Sequence, residues 1–163
     1  MTSPHRAYIG LGSNLDNPRS QVERGLQALG VLPRSRLWRR SRLYASVPWG
    51  LADQPEFVNA VAAIDTRLEP RELMQALLRV ETEFGRRRGG ERWGPRILDL
   101  DLLLFDAALI DEPGLRVPHL HLHERAFVLL PLADIAPQLQ VTGRATVAEL
   151  LEKVDASTCR VLD

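Results

Sequence analysis

Apolar residues recur along this chain with two different periods, which predict where strands and helices lie. Short runs rich in strand-forming residues predict four strands, at positions 7–11, 37–47, 57–64 and 97–105. Between these runs, residues 18–29 and 70–84 place apolar side chains three or four positions apart, which is the spacing of one helix face. The predicted order is therefore strand, helix, strand, strand, helix, strand.

This βαββαβ order is typical of a ferredoxin-like α+β fold, in which helices pack on one face of an antiparallel sheet. No internal repeat or low-complexity linker divides the 163 residues, and one domain commonly spans about 100–200 residues. We therefore expect residues 1–163 to form a single domain.

Two shorter helices are expected in the C-terminal third of the chain. Residues 124–130 form an apolar segment that Pro131 should end, because proline is disfavoured inside a helix. Thr146 and Glu149 have the spacing of a capping box and precede a set of periodic apolar positions. The last helix is therefore predicted to begin at Thr146.

The formal charge of the whole chain is zero, because 21 Lys and Arg residues balance 21 Asp and Glu residues. This balance disfavours a general nucleic-acid-binding protein, which is usually strongly basic. The net charge is nevertheless +6 over residues 1–50, −1 over 51–100 and −5 over 101–163. A single cysteine excludes an intrachain disulfide, and no apolar run approaches the roughly 20 residues of a membrane span. We expect a cytoplasmic protein.

Two aspartates interrupt the most apolar strand, at positions 97–105. Because side chains alternate along a strand, Leu98, Leu100, Leu102 and Leu104 should share the core face, whereas Asp99 and Asp101 should share the other face, about 7 Å apart at Cα. Two carboxylates placed in this way repel each other unless a cation lies between them or water solvates them. The pair therefore indicates either a Mg²⁺ site or a solvated strand edge.

A cationic loop immediately precedes this strand and favours the metal interpretation. Residues 86–96 carry five arginines and one glutamate, and several glycines allow the loop to move. Arginine binds phosphate through two parallel hydrogen bonds, so a polyphosphate could lie between this loop and the aspartates. We expect the excess positive charge of residues 1–50 to lie at the same end of the site. Direct pairing of these arginines with the aspartates is the alternative.

Three histidines alternate in the segment that follows. His119, His121 and His123 would suit a zinc site only in a regular strand, which Pro118 disfavours, so a single histidine contacting phosphate is the favoured interpretation. Arg125 could add a second phosphate contact. A nucleotide site of the P-loop type is excluded, because the chain has no Gly-x-x-x-x-Gly-Lys-Ser/Thr motif.

Taken together, these motifs resemble the 6-hydroxymethyl-7,8-dihydropterin pyrophosphokinase family of folate biosynthesis. The most specific block is RWGPRILDLDLLLF at 92–105. Supporting blocks, in the family's order, are IGLGSN at 9–14, SVPWGLADQPEFVNAV at 46–61 and VPHLHLHERAFVLLPLADIAP at 117–137. The resemblance covers nearly the whole chain.

The resemblance implies that the chain transfers the β,γ-pyrophosphate of ATP to the hydroxymethyl oxygen of the pterin and releases AMP. Two Mg²⁺ ions would be held by Asp99 and Asp101. The resemblance assigns catalysis to these two aspartates and to three loop arginines, Arg86, Arg92 and Arg96. The further residues implied on the nucleotide side are Glu81, Arg88, Trp93, Ile97, His119 and Arg125. The acceptor of the hydroxyl proton is left open between a metal-bound water and Asp99.

On the pterin side, the resemblance implies a flat slot. Phe57 and Phe127 would enclose the ring and Asn59 would form hydrogen bonds with it. The residues implied in the neighbouring loop are Ser46, Val47 and Trp49. The partners expected are ATP and the pterin, with neither nucleic acid nor a membrane, and the protein is expected to be a monomer.

Two other functions use some of the same features. An RNA-binding module can have the same βαββαβ order, but an aspartate pair on its open face would repel a phosphate backbone. A two-metal nuclease or nucleotidyl transferase would account for the aspartates but not for Phe57, Asn59 and Phe127.

Overall fold

The computed structural model describes residues 3–47, 56–86 and 97–162. Within these ranges the strands are β1 (His5–Ser13), β2 (Ser35–Arg40), β3 (Leu43–Ser46), β4 (Phe57–Thr66), β5 (Asp99–Phe105), β6 (Ile110–Glu112), β7 (Leu115–Val117) and β8 (Cys159–Leu162). The helices are α1 (Pro18–Leu29), α2 (Pro70–Arg86), α3 (Ala126–Ile135) and α4 (Val147–Glu152), and a 3₁₀ turn covers Leu122–Glu124. None of these helices is long and apolar enough to cross a bilayer.

The main sheet has the strand order β5-β1-β4-β3-β8, and β2 also pairs with β4. Every pairing in this sheet is antiparallel. With α1 following β1 and α2 following β4, this arrangement confirms the ferredoxin-like α+β class. Strands β6 and β7 form a separate hairpin.

Helices cover both faces of the sheet, whereas the sequence predicted helices on one face only. Helices α1 and α2 pack on the first face through buried side chains such as Leu26 and Leu77. Helix α3 packs on the second face through Leu129 and Leu132, and α4 packs against α3 with Val147 buried in the same core. The second layer forms because the sheet is also apolar on that side and buries this surface against helices.

A β-bulge between β1 and β5 changes which side chains share a face. Tyr8 pairs with Leu104 and the next residue, Ile9, pairs with Leu102, so Leu103 is the extra residue on β5. The prediction that Leu104 lies on the same face as Leu102 is therefore wrong, because the strand alternation shifts at the bulge. Leu103 and Leu104 both pack in the second core.

The run at 37–47 is interrupted, and two strands replace the single strand predicted. At the interruption, the Ser41 backbone N–H donates to the Val61 carbonyl at 2.9 Å, and the Val61 N–H donates to the Ser41 hydroxyl at 2.9 Å. The Ser41 hydroxyl thus replaces a backbone carbonyl as acceptor in the strand pairing. Strands β2 and β3 pair with successive parts of β4.

Helix α3 continues through Pro131, so the prediction that it ends there is wrong. Leu132 and Ile135, beyond the proline, are buried in the second core, which stabilises the last turn. The capping box before α4 is confirmed, since the Thr146 side chain accepts from the Glu149 backbone and the Glu149 carboxylate accepts from Thr146.

Candidate active site

A cavity of about 530 Å³ opens between the second face of the sheet and the start of α3. We call it the central cavity. Gly10 and Gly12 of β1 lie at its centre, and the ends of β3, β4 and β5 surround them. The first residues of α3 and the segment that leads into β8 also line it.

The pairing register places the aspartates and Asn59 on one face of the sheet. Gly12 pairs with Asn59 on one side and with Asp99 on the other, and Gly10 pairs with Asp101. Directly opposed residues in a sheet project to the same face. Asp99 and Asn59 are thus two strand spacings apart, about 10 Å, and only a glycine lies between them.

Asn59 is almost completely buried at the bottom of the central cavity, with 8% of its surface exposed. Its amide nitrogen donates to the Ser46 hydroxyl at 3.4 Å. A Cβ atom at Gly12 would lie 2.8 Å from the Asn59 amide oxygen, a distance that real Cβ contacts do not show. Only glycine at position 12 leaves room for the Asn59 amide in its observed position.

Two half-buried aromatic rings line the central cavity from different elements. Phe57 begins β4, and Phe127 is the second residue of α3. The Arg125 guanidinium lies 5.6 Å from the centroid of the Phe127 ring, within the range of a cation–π contact. The cavity thus has apolar surface from two elements and a positive charge beside one of them.

Helix α2 anchors the strand that carries the aspartates. The backbone N–H of Leu100, between Asp99 and Asp101, donates to the Glu81 carboxylate at 2.7 Å. This bond fixes the edge of β5 at the point where the two carboxylates project. Asp99 is half-buried and Asp101 is exposed.

The donor set of this edge fits Mg²⁺. Magnesium takes oxygen ligands and usually binds through one or two carboxylates together with phosphate oxygens and water. Within the described ranges, no cluster of three or more His, Cys, Asp or Glu residues could hold a metal ion. A Mg²⁺ ion at Asp99 and Asp101 would therefore take its other ligands from a phosphate group and water.

His119 is attached to the same strand, because its backbone N–H donates to the Leu103 carbonyl at 2.9 Å. Burial lowers the pKa of its imidazole, and the positive charge of Arg125 lowers it further, whereas the negative charge of Asp101 opposes the shift. At neutral pH the ring is therefore uncharged, and it can donate one hydrogen bond without a positive charge.

Comparison with known protein families identifies the chain. The model of the 7,8-dihydro-6-hydroxymethylpterin-pyrophosphokinase (HPPK) family matches residues 8–137. The chain belongs to the HPPK family. Its reaction is the transfer of pyrophosphate from ATP to 6-hydroxymethyl-7,8-dihydropterin in folate biosynthesis.

Curated members of the HPPK family are similar over almost their whole length. The chain is 54% identical to the 2-amino-4-hydroxy-6-hydroxymethyldihydropteridine pyrophosphokinase of Pseudomonas aeruginosa, covering 90% of each chain. It is 45% identical to the enzyme of the same name from Methylorubrum extorquens, covering 93% of this chain and 95% of the relative.

Solved structures of HPPK-DHPS proteins share the fold. One, described as in complex with substrates, superimposes with a TM-score of 0.75 at 12% identity, and covers 93% of this chain and 43% of its own. A Plasmodium falciparum HPPK-DHPS superimposes with a TM-score of 0.70 at 14% identity over 91% of this chain. At this identity the likeness shows the fold alone, and this chain spans less than half of those longer chains.

The structure brings most of the described candidate residues of the HPPK site to one cavity. Those that line it are Ser46, Val47, Phe57, Asn59, Asp99, Asp101, Arg125 and Phe127. Glu81 and His119 do not line it but are attached to β5 by the hydrogen bonds given above. Ile97 packs in the first core, where its side chain supports the start of β5.

The other candidate residues are outside the description. Trp49, Arg88, Arg92, Trp93 and Arg96 lie outside the described residues, as does the side chain of Arg86 at the end of α2. Their roles remain predictions.

Sequence reasoning did not include the C-terminal segment in the site. Asp155, Thr158 and Cys159 line the central cavity, and β8 was not among the predicted strands. The only local signal is the short run Cys159–Leu162, which contains one β-branched residue and is too short to be distinguished from a loop.

Proposed function

We propose that the central cavity binds ATP and the pterin side by side on one face of the sheet. The phosphates would lie over β5, and the pterin would lie over β4 and the end of β3. The observation that carries the proposal is the register Asn59–Gly12–Asp99, which puts a polar group for each substrate on the same face with no side chain between them.

At the phosphate end, Asp99 and Asp101 would hold two Mg²⁺ ions against the triphosphate. The two carboxylates alone leave most magnesium ligand positions to phosphate oxygens and water, which is the usual arrangement in phosphoryl-transfer sites. When bound, the metal ions supply charge neutralisation and orientation of the phosphates. His119 and Arg125 would add hydrogen-bond donors at the same end.

At the pterin end, the ring would lie between Phe57 and Phe127. Aromatic faces bind a flat heterocycle by stacking and exclude water from it. The buried amide of Asn59 would provide donors and an acceptor for the polar edge of the ring. Ser46 would position this amide, because its hydroxyl already accepts from Asn59 Nδ2.

In the reaction, the hydroxymethyl oxygen forms a bond to the β-phosphorus of ATP. The bond from that phosphorus to the oxygen bridging the α- and β-phosphates breaks, and AMP leaves with the electron pair. The hydroxyl proton is released. The protein contributes positioning of the substrates and neutralisation of charge. We assign charge neutralisation to Arg86, Arg92 and Arg96 as well as to the residues above.

Release of AMP tests the assignment of the two aspartates. We expect AMP formation to require both Mg²⁺ and 6-hydroxymethyl-7,8-dihydropterin. Asp99→Ala and Asp101→Ala should each lower kcat by about a hundredfold or more, because they remove stabilisation of the charge on the phosphates. Asp111→Asn is the control, because Asp111 lies in the separate β6–β7 hairpin and does not line the cavity. Retention of most of the wild-type rate by either alanine variant would show that the metal assignment is wrong.

For the molecule as a whole, we propose that residues 1–163 act as a single pyrophosphokinase domain. We further propose that the protein is a cytoplasmic monomer that binds neither nucleic acid nor membranes. The zero net charge of the chain supports the absence of a nucleic-acid partner. Light scattering would test the monomer, and a salt-sensitive affinity for single-stranded RNA without metal would contradict the absence of a nucleic-acid partner.

A further inference from the structure

The C-terminal segment completes the main sheet although it lies beyond the residues that match the family model. That match ends at residue 137, whereas β8 covers Cys159–Leu162 and pairs with β3 along its whole length. Strand β3 ends at Ser46, a residue of the central cavity. The segment is therefore the outer neighbour of the strand that borders the pterin end of the cavity.

The pairing register determines which side chain of β8 faces this end. Cys159 pairs with Ser46, and Ser46 pairs with Phe57, so the three residues form one row across the sheet. Opposed residues project to the same face, which here is the face of Asn59 and the aspartates. Cys159 and Thr158 both line the central cavity.

Two contacts hold the segment in this position. The backbone N–H of Val47 donates to the Thr158 carbonyl at 3.3 Å. On the far side of Cys159, the Arg160 guanidinium forms an ion pair with Glu56 at 2.9 Å. Val47 and Glu56 are the immediate neighbours of Ser46 and Phe57, so the segment is tied to both sides of the pterin end.

The chemistry of Cys159 favours a role as a small apolar lining residue over a role as a reactive group. The thiol is half-buried, and burial raises its pKa. It is therefore protonated at neutral pH and behaves as a small apolar side chain. Such a side chain leaves room for a ring beside Phe57, whereas a large one would extend into that room.

We propose that the segment 155–159 forms the outer wall of the pterin end of the central cavity, and that the small side chain of Cys159 determines whether the pterin fits. This inference rests on the proposed placement of the pterin at Phe57, Asn59 and Phe127. Cys159 is thus a specificity-determining residue for the acceptor substrate, with no part in the chemical step.

Bulk at position 159 tests the proposal through pterin affinity. In the presence of Mg²⁺ and a non-hydrolysable ATP analogue, Cys159→Phe should raise the Kd of 6-hydroxymethylpterin at least about tenfold, because overpacking excludes the ring. Cys159→Ser should leave it within about twofold, since the two side chains are nearly equal in size. Affinity for the ATP analogue should stay unchanged in both variants.

Val161→Phe is the matched control for the added ring. Val161 lies on the same strand and face, is 40% exposed and does not line the cavity. It should keep the wild-type pterin Kd, and thermal unfolding should show that all three variants fold. Equal loss of pterin affinity in Cys159→Phe and Val161→Phe would overturn the proposal, because the effect would then belong to the strand as a whole.

A second readout uses the fact that the chain has one cysteine, so alkylation reports on this position alone. Bound 6-hydroxymethylpterin should slow modification of wild-type Cys159 by iodoacetamide at least about fivefold. A ring that fills the pocket would cover the thiol and keep the reagent from reaching it. An unchanged labelling rate with the pterin bound would contradict the proposal that segment 155–159 borders the pterin. Pterin affinity that is insensitive to Phe57→Ala and Asn59→Ala would instead overturn the proposed pterin site.

Discussion

A side chain at Gly12 would collide with the amide of Asn59, because the two residues are directly opposed in the sheet. The conflict involves the shortest substituent that an L-amino acid can carry. The position of Asn59 thus depends on the absence of an atom on the neighbouring strand. The same absence keeps the space between Asn59 and Asp99 open.

We predict that Gly12→Ala raises the KM for the pterin by about tenfold or more, because the amide of Asn59 must move away from its hydrogen-bonding position. The KM for ATP should change much less. Steady-state kinetics with each substrate varied in turn will measure the two effects.

Gly10→Ala is the control for this change on the same strand and face. A Cβ atom at Gly10 would lie 3.5 Å from Leu103, which is an ordinary contact distance. We expect a pterin KM close to that of the wild type. An increase as large as that of Gly12→Ala would contradict the specific role given to Asn59.

At the scale of elements, a polar cluster joins β3 to α3. The Asp134 carboxylate of α3 accepts hydrogen bonds from the Tyr44 hydroxyl at 2.8 Å and from the Arg42 guanidinium at 2.8 Å. Tyr44 lies two residues before Ser46 on the same face of β3, and Phe127 lies two helical turns before Asp134 on α3. The cluster therefore sets the separation of two elements that line the pterin end.

We predict that Asp134→Asn lowers the free energy of unfolding by about 1–3 kcal/mol, because it removes a charged acceptor from these donors. Glu23→Gln, which disrupts an exposed ion pair with Arg40, should lower it by less than about 1 kcal/mol. Urea denaturation at neutral pH will compare the two variants. Equal losses would contradict the special role of the Asp134 cluster.

The effect of Asp134→Asn should depend on pH. Burial would raise the pKa of Asp134, but the hydrogen bonds from Arg42 and Tyr44 outweigh it and lower the pKa below its ordinary value of 3.8. A lowered carboxyl pKa stabilises the folded state above the unfolded value, and this contribution is lost as the pH falls through the folded pKa. The difference in unfolding free energy between the wild type and this variant should therefore be constant above about pH 5 and shrink below pH 3.8.

A glycine inside α1 allows this helix to pack closely on the first face of the sheet. A Cβ atom at Gly25 would lie 2.9 Å from Leu98 and 3.0 Å from Leu11, which precede Asp99 and Gly12 in the sequence. We predict that Gly25→Ala costs about 1–3 kcal/mol of stability through overpacking, although alanine favours helix formation. Thermal unfolding will measure the loss, and a gain in stability would contradict the close packing.

Sequence periodicity predicts the elements whose signals are local. The strands at 7–11 and 57–64 and the two long helices follow directly from their apolar spacing. The bulge at Leu103, the interruption at Ser41 and the pairing of β8 depend on registers between residues distant in the sequence, which no local period contains. The aspartate pair could be predicted because both members lie on one strand, whereas the contribution of Cys159 could not.

At the scale of the whole molecule, the excess positive charge of residues 1–50 does not lie where the sequence predicted it. Three of its arginines, Arg6, Arg40 and Arg42, form ion pairs with Asp65, Glu23 and Asp134. The residues from this part of the chain that line the central cavity are all uncharged. Positive charge for the phosphates is therefore expected from Arg125 and from the arginines at 86–96.

Because Asn59 and Asp99, the groups proposed for the pterin and for the phosphates, share one face about 10 Å apart, we predict that binding of the two substrates is coupled. Calorimetry should show that Mg²⁺ with a non-hydrolysable ATP analogue raises pterin affinity at least about fivefold, the lower end of typical coupling between sites. The control is the analogue without Mg²⁺, which should have a smaller effect. Pterin affinity that is the same with and without the metal-bound analogue would contradict a jointly formed site.

The glycine centre of the cavity also bears on resistance to inhibitors. Gly10 and Gly12 leave main-chain atoms of β1 facing the cavity, and any side chain at Gly12 would displace the amide of Asn59. Val47, which is 52% exposed, can instead vary more widely in side-chain size and shape. An inhibitor that binds the main chain of β1 beside Gly12 would therefore be weakened by few substitutions that leave the enzyme active.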